Sequence, residues 1–287
     1  MERDENQQSF WHQMLAIDRR ILYTIIFVFV AYIVISPLGL PVPVTAHTQS
    51  FYNEIEAIPE GGVLWLDCAF QQGSWGELGP MVEATLRHAF QNDVRVVMSA
   101  MWEMGGRMAE FALSNVLEDP AYADMVEYGE DVVNLGFRPG GVAVVLRSAT
   151  DDVYSTFAGV DHHGDPLDDM PLAMEVERLH PDYVDFSVVY ESGSPGGADW
   201  LRYVHEPTGL PMGIGIIQMS VPAAASYIDA GQYEAMIPGA RGAAEYETLI
   251  DEPGMGLAAQ DVLSVGMLYV TLLIILGNIA WVATRED

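Results

Sequence analysis

Two stretches of this chain carry residue types that do chemistry. The first is Ser192-Gly193-Ser194-Pro195-Gly196-Gly197, which follows the apolar run Val184–Tyr190. A turn after a strand is where nucleophilic hydroxyls are placed, so Ser192 and Ser194 are candidate nucleophiles, with His88, His180 and His205 as the bases on offer. The glycine that a G-x-S-x-G elbow needs two positions before the serine is replaced by Tyr190 and by Ser192 itself. The second stretch is Asp161-His162-His163, trailed by Asp165, Asp168 and Asp169. Carboxylates and imidazoles at that density are suitable ligands for a divalent cation. Other chemistries are excluded outright. The chain has no Lys, which removes the P-loop, the S-x-x-K nucleophile and Schiff-base catalysis. Cys68 is alone, which removes intrachain disulfides and cysteine-rich zinc sites.

A third pattern is spread over the chain. Glycine-containing turns follow the apolar runs: Gly73-Ser74-Trp75-Gly76, Gly105-Gly106, Pro139-Gly140-Gly141, Ser192–Gly197 and Pro238-Gly239-Ala240-Arg241-Gly242. In a parallel sheet such turns share the carboxyl edge, where open α/β sheets bind ligands. Arg107, Arg138 and Arg241 lie in or beside them. The expected ligand site is therefore Trp75, Gly76, Gly105, Gly106, Arg107, Arg138, Gly140, Ser192, Gly193, Gly196 and Arg241, suited to a small anion at helix N-termini. Trp75 and Trp102 fall in adjacent turns as possible pocket walls, while Trp65 and Trp200 read as packing.

Two segments carry local resemblances. Asp161-His162-His163 is similar to the short signature of a phosphoesterase family with paired manganese ions. That resemblance implies further aspartates at the ends of earlier strands, and Asp67 lies inside a strand instead. The stretch reads as a solvated acidic loop, and no metal is expected. Gly73-Ser74-Trp75-Gly76-Glu77-Leu78-Gly79, with Glu103 near the end of the next strand, is similar to a dinucleotide fingerprint. Its spacing departs from G-x-G-x-x-G, so no cofactor is expected.

The elements that must position these residues alternate. Apolar runs Val63–Phe70, Val94–Met101, Val132–Leu135, Val184–Tyr190, Pro211–Gln218 and Tyr233–Ile237 read as strands. Helical spacing is expected over Gln49–Ile58, Glu77–Gln91, Arg107–Leu117, Val142–Phe157, Leu172–Leu179, Ala198–His205, Pro222–Ala230 and Ala240–Ile250. The alternation resembles the Rossmann-like class: a mostly parallel sheet with helices on both faces.

Hydrophobic segments flank this domain. Ile21–Val44 and Val262–Val282 carry no charge, and about 20 apolar helical residues cross a bilayer. Pro37, Pro41 and Pro43 end the first helix near Ser36 and leave an extended exit over 37–44. A signal peptide cleaved near Val44-Thr45-Ala46 competes with this reading, but the first 20 residues hold four acidic side chains. Arg19 and Arg20 precede the first segment and Arg285 follows the second, so both ends are expected in the cytoplasm. The expected layout is a tail at 1–20, a span and exit at 21–44, an extracytoplasmic domain at 45–258, a second span at 259–283 and a tail at 284–287. The domain holds 34 acidic residues against 8 Arg, which repels nucleic acid and anionic lipid and matches salt-adapted composition. The expected function is a non-enzymatic subunit or scaffold of a cell-envelope membrane complex, or a small-anion sensor. Its partner would be another membrane protein or a second copy. A membrane-anchored hydrolase acting at the carboxyl edge is the alternative.

Overall fold

A computed structural model describes residues 10–284. The chain separates into two compact units, Val42–Gly256 and the flanks Met1–Pro41 with Leu257–Asp287. The larger unit is α/β. Its strands are β1 (Val63–Ala69), β2 (Arg95–Ala100), β3 (Val132–Phe137), β4 (Phe186–Glu191), β5 (Met212–Ile216) and β6 (Ala235–Pro238). All neighbouring pairs are parallel, in the order β3-β2-β1-β4-β5-β6. Strands buried on both faces need apolar side chains in both directions, which is why they appear in the sequence as predominantly apolar runs. Every residue of β1 is buried.

Two cores line the two faces. Leu64, Leu66 and Cys68 point toward α1 (Ala46–Glu56), α2 (Trp75–Gln91), α3 (Gly105–Leu117) and the late helix Gly239–Leu249. Trp65 and Ala69 point toward α4 (Val142–Thr150), α5 (Gly197–Trp200) and α6 (Val221–Asp229). The late helix, Gly239–Leu249, is α7. Gly105 shows how closely α3 is seated: a Cβ there would overlap the carbonyl oxygen of Cys68. At Gly106 it would crowd the backbone of Gly136 and Phe137.

Three expected helices are interrupted. The run at 142–157 stops at Thr150, because the Asp152 side chain accepts from Ser155 N–H and starts a separate turn, Val153–Thr156. In 172–179 only Pro171–Glu175 is helical, and Leu179 N–H is taken by the Ser148 carbonyl. After Trp200 the backbone widens into a π-helical turn, Leu201–His205.

Both ends of the domain are held by α7. Glu245, fully buried, accepts from Thr45 N–H at 3.0 Å, Thr45 Oγ1–H at 2.6 Å and Thr48 Oγ1–H at 2.7 Å. Glu247, also buried, accepts from Gly254 N–H at 3.0 Å and Gly256 N–H at 2.8 Å.

In the smaller unit the first hydrophobic segment is helical over Arg19–Ile35, capped by Asp18 and ended before Pro37. Those 17 residues rise about 25 Å, short of the roughly 30 Å of a bilayer core. Among the described residues one helix, Met255–Thr284, is long and apolar enough to cross a membrane. The sequence reading of two full-length spans is corrected to that extent. The prolines cut the first helix short, and the rest of 21–44 is irregular. Within this unit the buried carboxylate of Asp261 accepts from the N–H groups of Leu38, Gly39 and Leu40 at 2.7, 2.9 and 3.1 Å. Tyr269 Oη–H donates to the Leu22 carbonyl at 2.9 Å. Residues 1–9 and 285–287, the outer parts of the expected tails, lie outside the described residues.

Gly105→Ala is expected to cost at least about 3 kcal/mol, because α3 cannot accept a methyl group without leaving β1. Thermal or denaturant unfolding of the detergent-solubilised full chain measures this. A loss under 1 kcal/mol would mean that the helix is not seated so closely.

Candidate functional site

The strand order reverses between β1 and β4. The chain leaves β1 for one face and β4 for the other, so their loops part and leave a crevice at the carboxyl edge, the usual ligand position in such sheets. Here protein fills it. The loops after β2 and β4 meet across the end of β1. The Trp102 indole N–H donates to the Pro195 carbonyl at 2.8 Å, and Gly193 lies against the same ring. Ser192 N–H donates to the Ala69 carbonyl at 3.2 Å. Glu191 turns back to accept from Gly197 N–H, and Asp199 accepts from Gly196 N–H at 3.1 Å. Burial, and secondarily the Asp199 charge, raise the Glu191 carboxyl above its ordinary value. Gly196 leaves room for that carboxylate, since a Cβ there would overlap it.

Below this closure lies Asp67, 1% exposed. Its Oδ1 accepts from Ser99 Oγ–H at 2.8 Å, and its Oδ2 from Met101 N–H at a long 3.4 Å. Ser99 in turn accepts from the Trp65 indole N–H at 2.9 Å. Beside the carboxyl is a cavity of about 10 Å³, room for one water at most, walled by Gly141, Val144, Ser148, Phe157 and Trp200. Burial pushes the Asp67 carboxyl up to about 7. The sequence reading set this residue aside because it lies inside a strand.

The expected arginines do not form an anion site. Arg138 spends its guanidinium on the carbonyls of Phe157, Val160 and Phe137 and lies over the Phe157 ring, pinning a loop. Arg241 pairs with Glu245 at 2.9 Å and reaches the Pro43 carbonyl, on the far strand of the sheet from Arg138. Arg107 is exposed on the first turn of α3. Gly105 and Gly106 serve helix–sheet contact, and Gly140 sits at φ 142° in the turn before α4.

Ser192 and Ser194 are separated from their candidate bases by the length of the sheet. His180 pairs with Asp182 just before β4, and His205 bonds the Leu210 carbonyl just before β5. His88 lies in the last turn of α2, held by Tyr246 and Glu56 and stacked on Tyr52. All three lie toward the amino edge, and both serines lie at the carboxyl edge. Asp161, His162 and His163 also diverge. The Asp161 carboxylate accepts from Tyr128 Oη–H, His163 N–H and Asp165 N–H, each at 2.8 Å. His163 turns to Glu110 at 3.3 Å, and the His162 ring lies against Gly136. Among the described residues no three His, Cys, Asp or Glu side chains are grouped to hold a metal.

One cleft beside the crevice is open. It is about 530 Å³, lined by Gln72, Trp75, Gly76, Met108 and Phe111, between the start of α2 and the face of α3. The Trp75 and Phe111 rings lie 4.8 Å apart at 52°, and Phe111 is half exposed. Gly79 lets the indole lie back along α2, since a Cβ there would be 2.5 Å from it. Trp75 and Gly76 were expected here. Phe111 and Met108 are apolar positions of the expected helix Arg107–Leu117, and they fall off the buried stripe of Ala109, Ala112, Leu113 and Val116. That offset was the available signal. No known family model, curated protein or solved structure matches this chain.

The raised Asp67 carboxyl makes stability depend on pH. Well below pH 3.8 the folded and unfolded chains both hold the proton. As pH rises from 3.8 to about 7, only the unfolded chain releases it, so stability falls by about 4 kcal/mol and then levels. Asp67→Asn removes this slope. In denaturant titrations its stability relative to wild type is expected to rise by about 3 kcal/mol between pH 5 and pH 8. The same difference at both pH values would refute the assignment.

Proposed function

We propose that this chain is a membrane-anchored, non-catalytic recognition subunit of a cell-envelope complex. Its aromatic cleft takes an apolar side chain of a membrane-protein partner. The observation that carries this reading is the contrast at the carboxyl edge. The crevice where a reaction centre would form is filled by the Trp102–Pro195 contact, while the open concavity is apolar and lacks a nucleophile or base. The distance of the histidines from Ser192 and Ser194 argues against the hydrolase. The engagement of Arg138 and Arg241 argues against the small-anion sensor.

The anchor is the helix Met255–Thr284, with the shorter helix Arg19–Ile35 as its companion. The contacts of Asp261 with the 38–40 backbone and of Tyr269 with Leu22 support that pairing. Arg19 and Arg20 orient both ends to the cytoplasm and the domain to the outside.

Two measurements test this. Tagged full-length protein in mild detergent should bring down a stoichiometric membrane protein, and Trp75→Ala with Phe111→Ala should lose it at least tenfold. A monodisperse protein that captures nothing would overturn the subunit reading. For topology, Cys68 is buried and should stay silent to thiol reagents, so Asp124→Cys, at an exposed position, should be the reactive site. A membrane-impermeant maleimide should label it on intact cells. Labelling only after lysis would place the domain inside.

A further inference from the structure

We propose that Asp67 is a proton-operated latch: with its carboxyl neutral the Trp102–Pro195 contact closes the crevice between β1 and β4, and its ionisation releases that contact and opens the crevice. The argument starts from how poorly the site suits a carboxylate. A buried carboxylate needs several close donors or a cation. Asp67 has one close donor, Ser99, and one distant one, Met101 N–H at 3.4 Å.

Among the described residues no charge of either sign compensates it. On β1 itself the neighbouring Cys68 belongs to the opposite core. From β2 the facing polar group is Ser99, and from β4 the neighbour in register is Val189. From α4 the facing groups are Val144, Val145 and Ser148, and from α5 Trp200. The nearest charges by chain position are already engaged: Arg138 on three carbonyls, Arg147 with Asp151, Glu191 on Gly197 N–H and Asp199 on Gly196 N–H. The added charge can be met in two ways, by drawing Met101 N–H inward and by admitting water to the adjoining cavity. Both act on the same loop. Met101 is held from the other side by the Trp200 indole, which donates to its sulfur at 3.0 Å. The next residue is Trp102, whose indole N–H makes the closing contact. An inward shift of a few tenths of an ångström at Met101 therefore loads the 2.8 Å bond to Pro195 directly. In this arrangement one proton governs the two loops that close the carboxyl edge, those after β2 and β4.

The test uses full-length protein labelled with ¹⁵N-tryptophan in detergent micelles, with the Trp102 indole signal assigned through Trp102→Phe. Solvent exchange of the Trp102 indole N–H is measured from pH 5.5 to 8.5 relative to the Trp75 indole in the same sample, which packs against the opposite core, outside the Asp67–Ser99–Trp65 chain of bonds, and removes the intrinsic base catalysis. In wild type the ratio should rise at least tenfold with a midpoint near 7. In Asp67→Asn it should stay flat at the low-pH value. Ser99→Ala removes the close donor and should move the midpoint upward, which keeps the idea testable if Asp67→Asn does not fold. A constant ratio in wild type overturns the latch. So does a rise that persists in Asp67→Asn, or a midpoint that Ser99→Ala leaves in place.

Discussion

The interaction on which this structure most depends is the bond from a backbone N–H to a side-chain carboxylate. A chain with 41 acidic residues and 12 basic ones cannot pair its acids with cations. It uses them as acceptors for N–H groups that no strand or helix satisfies. Asp185 holds Val63 at the start of β1, Glu77 holds Gln218 after β5, and Asp161 closes its own loop. Glu191 and Asp199 fix the turn after β4, Glu245 and Glu247 secure the two ends of the domain, and Asp261 holds the backbone at Leu38 in the smaller unit. Charge-assisted bonds of this kind are shorter and stronger than neutral ones, and they satisfy donors whose burial would otherwise be costly. The acidic composition therefore has a structural share, beside whatever it owes to salt.

Asp67 is the exception, and the exception is informative. It accepts from a backbone N–H as the others do, but at a distance where the bond is weak. Its neighbours are Trp65, Phe157 and Trp200 rather than a turn open to water. The same residue type thus plays opposite parts, a fastener at the loop ends and a strained group in the core, according to the number of donors the fold supplies.

Much of the fold could be read from the residues. The six strands, such as Val63–Ala69 and Val132–Phe137, stood out because burial on both faces keeps them predominantly apolar, with Asp67 and Asn134 the polar residue in each of these two. Helix edges were less visible where capping overrode periodicity, as at Asp152, or where a π turn changed the phase after Trp200. The site was only partly legible. Gly-rich turns correctly mark the carboxyl edge, but glycine serves close packing and ligand approach alike, and a sequence cannot separate them. Gly105 and Gly106 proved to be of the first kind. The arginines misled for a related reason: Arg138 and Arg241 occupy the expected turns but are turned onto carbonyls and a buried glutamate. What decides their role is direction, which spacing does not record.

The attachment of both domain ends to α7 has a mechanical consequence. Thr45 is gripped at Glu245 and Gly256 at Glu247, two residues apart on one helix. Tension carried along either tether enters the domain at that helix and can leave by the other without crossing a strand. The parallel sheet and the loops at its carboxyl edge stand off the load path. The geometry of the cleft would stay insulated from the pull.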